Sequence, residues 1–185
     1  MQQFNPVCAA VLAAGLMAAI PAPAAVNDVS ATGFTIVETA EISASPDQVY
    51  RALATPSRWW NSEHTFSGDA ANLSLDPRAG GCWCETLPGG GSTQHMVVVN
   101  AMPGKMLRLR GGLGPLQAMA VDGVMTFALK PDGDKTRLTM SYAAGGYSKG
   151  GFSDIASAVD GVLGEQVLRL QLFVETGSPQ RQSKE

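Results

Sequence analysis

"GFSDIASAVDGVLGEQVLRLQLFVETG" runs from Gly151 to Gly177 and is the longest periodic segment of the chain. Phe152, Ile155, Val159, Leu163, Val167, Leu170 and Val174 recur at three- and four-residue steps, while Asp154, Ser157, Asp160, Glu165 and Arg169 fall mostly on other faces. This spacing predicts an α-helix of about six turns with one apolar stripe. Ser153 is the expected N-cap and Gly177 the expected C-terminal stop. Gly161 and Gly164 lie in the helix interior, where each costs about 1 kcal/mol relative to alanine. Close approach to a sheet, or room for a ligand against the helix, would offset that cost. A stripe this long needs a partner surface.

The upstream sequence supplies one. "GFTIVETAEISAS" (Gly33 to Ser45) is β-branched and loosely alternating, so it reads as a strand. Ser45 then caps a short helix with Pro46 at its first position and Asp47 in its first turn; Val49, Tyr50 and Leu53 share a face, and Pro56 stops it. A further short turn carries Trp59 and Trp60. Strands follow at "NLSLDP", "GGCWCETL", "TQHMVVVNA" and "KMLRLRG", with "PGGGS" and "MPGK" as turns. "VMTFALKPDGDKTRLTMSY" reads as two strands around Pro131 to Asp134, and "LGPLQAMAVDG" is less regular. A strand, short helices, about six more strands and one long helix make an α+β domain, with an antiparallel sheet curved around that helix.

The 185 residues suit one domain. A net charge of −3 and scattered basic residues, with Arg108 and Arg110 the densest pair, give no footprint for nucleic acid. Residues 1–25 read as a secretion signal. "VCAAVLAAGLMAAI" (Val7 to Ile20) is an uncharged apolar run of 14 residues, and Ala22 and Ala24 form an A-x-A site with cleavage after Ala24 or Ala25. A membrane-spanning helix needs about 20 residues. No Lys or Arg precedes the run, so the terminal amine alone supplies positive charge, and an uncleaved anchor is the alternative reading. The expected mature protein is periplasmic or secreted, without a membrane anchor: a domain over 26–178 and a short tail over 179–185. Cys8 leaves with the leader, which leaves Cys82 and Cys84 in an oxidising compartment.

"ISASPDQVYRALATPSRWW", "LSLDPRAGG" with its following aromatic strand, and "VLGEQVLRLQLFVETG" resemble the START-like (SRPBCC) superfamily. The middle stretch is similar to the branch named after activators of the heat-shock ATPase. The resemblance spans roughly Gly33 to Gly177 and implies a helix-grip fold, with a curved antiparallel sheet wrapped around a long C-terminal helix. It implies no shared catalytic motif, because the superfamily includes lipid carriers, receptors, polyketide cyclases and co-chaperones.

Chemistry must therefore be sought residue by residue. Cys82 and Cys84 are two apart in a predicted strand and share one face, with Trp83 and Glu85 on the other. Strand geometry sets their Cα atoms about 6.5–7 Å apart with parallel side chains, the upper limit for a disulfide, so two small half-buried side chains is the favoured reading. C-x-C is not a standard zinc spacing and neither histidine is near in sequence, so no metal or cofactor is assigned. An exposed thiol pair would be free to link two copies into a homodimer.

Glu85, facing inward beside Trp83, is either ion-paired or at a cavity edge. Trp59 and Trp60 fit both a ligand wall and plain core. His64 sits in a polar loop. Leu107 and Leu109 face away from Arg108 and Arg110, and Leu138, Met140 and Tyr142 face together, with the Tyr142 hydroxyl placed to orient a ligand or to sit at the rim. The expected function is the binding of a small hydrophobic molecule or lipid, with Trp59, Trp60, His64, Trp83, Glu85, Leu109 and Tyr142 as candidate contacts. A cyclase- or hydrolase-like enzyme is the alternative, and it requires at least two of Glu85, His64, His95 and Tyr142 to converge on one cavity. A co-chaperone role follows from the branch resemblance alone and excludes export.

Overall fold

The structure, a computed structural model, describes residues 25–181. The expected leader lies outside the described residues except at Ala25, as does the expected tail from residue 182 onward. In chain order the elements are β1 (Ala25–Val29), β2 (Gly33–Ile42), α1 (Pro46–Leu53), β3 (Leu73–Leu75), β4 (Cys82–Thr86), β5 (Ser92–Met102), β6 (Met106–Arg110), β7 (Ala120–Asp132), β8 (Lys135–Tyr147) and α2 (Ser153–Thr176). The strands form one curved antiparallel sheet in the order β1-β2-β8-β7-β6-β5-β4-β3, and α2 packs across it, most heavily on β2. This is the helix-grip arrangement.

Alternation fixes which face each strand turns inward. Phe34, Ile36 and Ile42 of β2, Leu107 and Leu109 of β6, Met125, Phe127 and Leu129 of β7, and Leu138, Met140 and Tyr142 of β8 are all buried. Arg108, Arg110 and Arg137 lie on the outer face and pair with exposed acids or a threonine there. α1 begins as its sequence predicts, at Pro46, and the Gln48 side-chain carbonyl accepts from both the N–H and the hydroxyl of Ser45.

Three expectations need correction. β1 is an additional strand, pairing with β2 from Ala25, inside a stretch with no alternating pattern of its own. Phe152, not Ser153, occupies the N-cap of α2; Ser153 is already helical and makes no capping bond. Asp160 is buried rather than facing water. The face of α2 turned to the sheet is Ala156, Asp160, Leu163, Val167 and Leu170, whereas Ile155 and Val159 are only partly buried. The stripe is thus wider than one packed seam, and half of it looks elsewhere. At its other end α2 stops as expected: Gly177 adopts φ 80°, a left-handed conformation that glycine takes without steric cost, and donates to the Phe173 carbonyl.

Candidate functional site

The partly buried half of the α2 stripe faces a cavity of about 310 Å³. Ala158, Val159, Val162 and Leu163 form its helix side, and Trp60, Leu73, Trp83 and Leu113 its apolar wall opposite. His95 completes the interior, and Glu63, His64 and Phe66 bring loop residues to it. Phe66 is 53% exposed, which makes this loop the mouth.

The loop is tied to α2 by polar bonds. Arg169 donates to the Trp59 and Trp60 carbonyls, the Asn61 N–H donates to Gln166 Oε1 at 2.8 Å, and the Asn61 side-chain amide donates to Glu165 at 2.7 Å. The other Glu165 oxygen lies 3.3 Å from His64 Nε2. Trp60 is then wedged edge-on between Trp59 and Trp83, with ring centroids 5.6 and 5.0 Å away. Its indole N–H donates to the His64 carbonyl, and that of Trp59 to the Ala52 carbonyl. Both tryptophans of this pair have their polar edges satisfied.

On the sheet side a β-bulge decides the chemistry. β4 and β5 pair Trp83 with Met96 but Cys84 with Gln94, so His95 is the extra residue. Strict alternation would turn His95 outward, because Met96 and Val98 point in. The bulge turns it in as well, and both His95 and Met96 are buried. His95 Nε2 lies 2.9 Å from Glu85 Oε2. Glu85 is fully buried and also accepts the backbone N–H groups of Phe66 and Ser67. Burial pushes its carboxyl upward, but the Ser67, Phe66 and His95 hydrogen bonds outweigh that and hold it below the ordinary value of 4.5. Glu85 is therefore an ionised acceptor at neutral pH. The imidazole stacks on Phe66 at 5.7 Å and meets Trp83 at 6.4 Å, while its Nδ1 has no partner.

The same strand carries the two cysteines. Cys82 and Cys84 are joined by a disulfide, against the expectation of two free thiols. Their Cα atoms stand 5.4 Å apart, well inside disulfide range and closer than in a fully extended strand. Bonded to each other, neither thiol is free to link two copies.

Of the residues singled out in the sequence, Trp60, His64 and Trp83 lie on the cavity wall, and Glu85 stands directly behind it through His95. Trp59, Leu109 and Tyr142 do not line it. Trp59 plugs the core beneath Trp60, and Leu109 is enclosed by the sheet. The Tyr142 hydroxyl is taken up by backbone, accepting from the Leu113 N–H and donating to the Gly111 carbonyl, both at 3.2 Å. Its ring lies across Gly123, where a Cβ would stand 2.6 Å from Cε2, so glycine is required there. Burial pushes the phenol up to about 12. Of the four acid–base candidates, three converge on this region (His64, His95, Glu85) and Tyr142 does not.

Phe66, Leu73, Leu113 and Val162 are wall residues with no signal in the sequence beyond apolarity. A separate pair of acids was also hidden. Glu38 on β2 and Asp160 on α2 are both buried, each with one carboxylate oxygen lacking a partner. Burial, with the Asp160 charge second, pushes Glu38 up to about 7; burial raises Asp160 as well. Among the described residues no three His, Cys, Asp or Glu side chains stand close enough together to hold a metal ion.

Comparison with solved structures finds the same fold at low identity. A conserved protein of unknown function from Enterococcus faecalis superposes with a TM-score of 0.59 at 18% identity, covering 84% of this chain and 80% of that one. The Aha1 dimer from Colwellia psychrerythraea gives 0.54 at 19%, covering 77% and 97%. CalU16 from Micromonospora echinospora gives 0.52 at 19%, covering 78% of each. No curated protein matches the sequence. The family model described as polyketide cyclase / dehydrase and lipid transport matches residues 33–175, from the first strand that grips the long helix almost to that helix's end. The chain belongs to that family, a START-like (SRPBCC) fold.

Proposed function

We propose that this is an exported START-like domain that holds a small, predominantly apolar molecule between its sheet and α2. The observation that carries the reading is the cavity itself: about 310 Å³, walled by Trp60, Leu73, Trp83, Val159 and Leu163, in a domain whose core is otherwise closely packed. Ligand sites run from about 300 to 1,000 Å³ and are mostly apolar with a few placed polar groups, so this one suits a compact molecule of two or three rings. The family description joins cyclases and dehydrases to lipid transport, and all of these must enclose an apolar molecule. The apolar run with its A-x-A site supports export.

A catalytic reading is favoured by one observation, the placement of His95 and His64 on the cavity wall with Glu85 directly behind His95. A carboxylate that orients an imidazole whose other nitrogen is free is the arrangement of a general base. Native mass spectrometry of protein expressed with its leader tests the main reading. The expected mass is that of a chain starting at Ala25 or Val26 plus a small adduct that solvent extraction recovers. Leu163→Trp, which fills the cavity, should lose the adduct. A carrier returns the molecule unaltered; chemical change over time would favour the catalytic reading. Ligand-free wild-type protein, purified without solvent exposure, would count against both.

A further inference from the structure

The bridge between Cys82 and Cys84 ties no two elements together. Both cysteines belong to β4, two residues apart, and the ring they close encloses Trp83 alone. β4 is already paired on both sides, with β3 and with β5, so its place in the sheet does not depend on the bridge. Stabilisation by a disulfide falls with the size of the loop it closes, and this loop is close to the smallest possible. As a staple the bridge does little. What it constrains is local.

The one residue it encloses is a wall of the cavity. Trp83 is buried, stands edge-on to Trp60 at 5.0 Å and lies beside His95 at 6.4 Å. Across on β5 is the bulge: Cys84 pairs with Gln94 and Trp83 with Met96, leaving His95 between them. The Gln94 carbonyl accepts from the side-chain amide of Gln117, in the turn Gly114–Ala118 that brings Gly114 and Pro115 to the cavity. Two residues of extended strand span about 6.6 Å, whereas the bridged Cα atoms are 5.4 Å apart, so opening the bridge frees about 1 Å of extension centred on Trp83. The ladder to β5 is interrupted at this point, and an interrupted ladder is where such a change is absorbed. Both cysteines lie on the sheet face away from the cavity and are half-buried, so a thiol can approach the bridge without entering the cavity.

We propose that Cys82–Cys84 is a thiol–disulfide exchange site whose redox state sets the cavity wall at Trp83, with a dithiol reductant as its co-reactant. This rests on the cavity reading above and adds its regulation. A thiolate of the reductant attacks one sulfur, forms a mixed disulfide and releases the other cysteine as a thiolate, which takes up a proton. The reductant's second thiol then breaks the mixed disulfide. Two electrons and two protons have passed to Cys82 and Cys84, and the reductant leaves as its own disulfide. The bridged form holds the cavity of about 310 Å³ and is the binding form. Coupling is reciprocal: a ligand that prefers the bridged form makes the bridge harder to reduce by the same factor.

Equilibrium dialysis of the full protein against naphthalene, before and after reduction by dithiothreitol, tests this, with circular dichroism reporting whether the reduced chain is folded. The bridged protein should bind about tenfold more tightly than the reduced one. Saturating naphthalene should then lower the midpoint potential of the bridge by about 30 mV, the same factor read from the other side. A purely structural bridge would show no such shift. The double variant Cys82→Ser, Cys84→Ser should bind as the reduced protein does and ignore dithiothreitol. Equal affinity in the two states, unfolding on reduction, or a bridge that dithiothreitol leaves closed in the folded protein would each overturn the proposal and leave the cavity reading intact. Binding of naphthalene to neither state would overturn the cavity reading itself.

Discussion

Glu85 and Glu38 are both buried acids of inward-facing strand positions, and their surroundings drive them in opposite directions. Glu85 is surrounded by donors, so it is ionised when folded more readily than when unfolded. It contributes stability above the ordinary carboxyl value of 4.5 and loses it as pH falls through its own lowered pKa. Glu38 has one oxygen without a partner and Asp160 beside it, and its carboxyl titrates at about 7. Between 4.5 and about 7 the folded state retains a proton there that the unfolded chain has released. Stability from Glu38 is thus fully present below 4.5 and lost as pH rises through 7. Glu38→Gln should therefore stabilise the protein at pH 8, by about 1–2 kcal/mol once solvent screening is allowed for, and change little at pH 4. Glu85→Gln should do the reverse, costing about 2 kcal/mol or more at pH 7, with the deficit shrinking in acid. Denaturant unfolding of both variants at several pH values checks the pair, and an identical pH profile for the two would contradict this account.

At the scale of elements, α2 shows what sequence can and cannot reveal. Its length and its Gly177 stop are written in local periodicity and in one residue's conformational freedom, so both were legible. Which part of the stripe packs and which part faces open space depends on the curvature of a sheet built from distant strands. Asp160 and Val159 could not be sorted by pattern alone. His95 was named only as an acid–base candidate, and its inward placement was hidden for a sharper reason. A β-bulge exists only relative to a partner strand, and "TQHMVVVNA" read by itself puts His95 on the outer face. β1 lacks alternation and is specified by its pairing with β2. Trp60, Trp83 and Glu85 were found because large rings and an inward acid stand out against a strand's own alternation. The two explanations offered for Gly161 also resolve: it is exposed, and a Cβ there would meet nothing within 4 Å, so it marks neither close packing nor ligand room. Gly161→Ala should raise stability by about 1 kcal/mol, read as a shift in denaturation midpoint. Destabilisation would mean that the helix surface has a partner at this point.

Taken whole, the molecule divides its polar bonds by purpose. Hydrogen bonds donated by Arg169 and accepted by Gln166 and Glu165 fasten the mouth loop to α2, and Glu85 fastens the same loop and His95 to the sheet. The two sides of the cavity are thereby held apart by polar struts instead of collapsing onto one another, and the apolar space between them persists. The most direct test of that claim is a crystal structure under xenon pressure, because xenon enters empty apolar cavities and is visible without any knowledge of the ligand. The account predicts xenon density among Trp60, Trp83, Val159 and Leu163. Crystals in which those side chains meet one another, with no xenon between them, would contradict it.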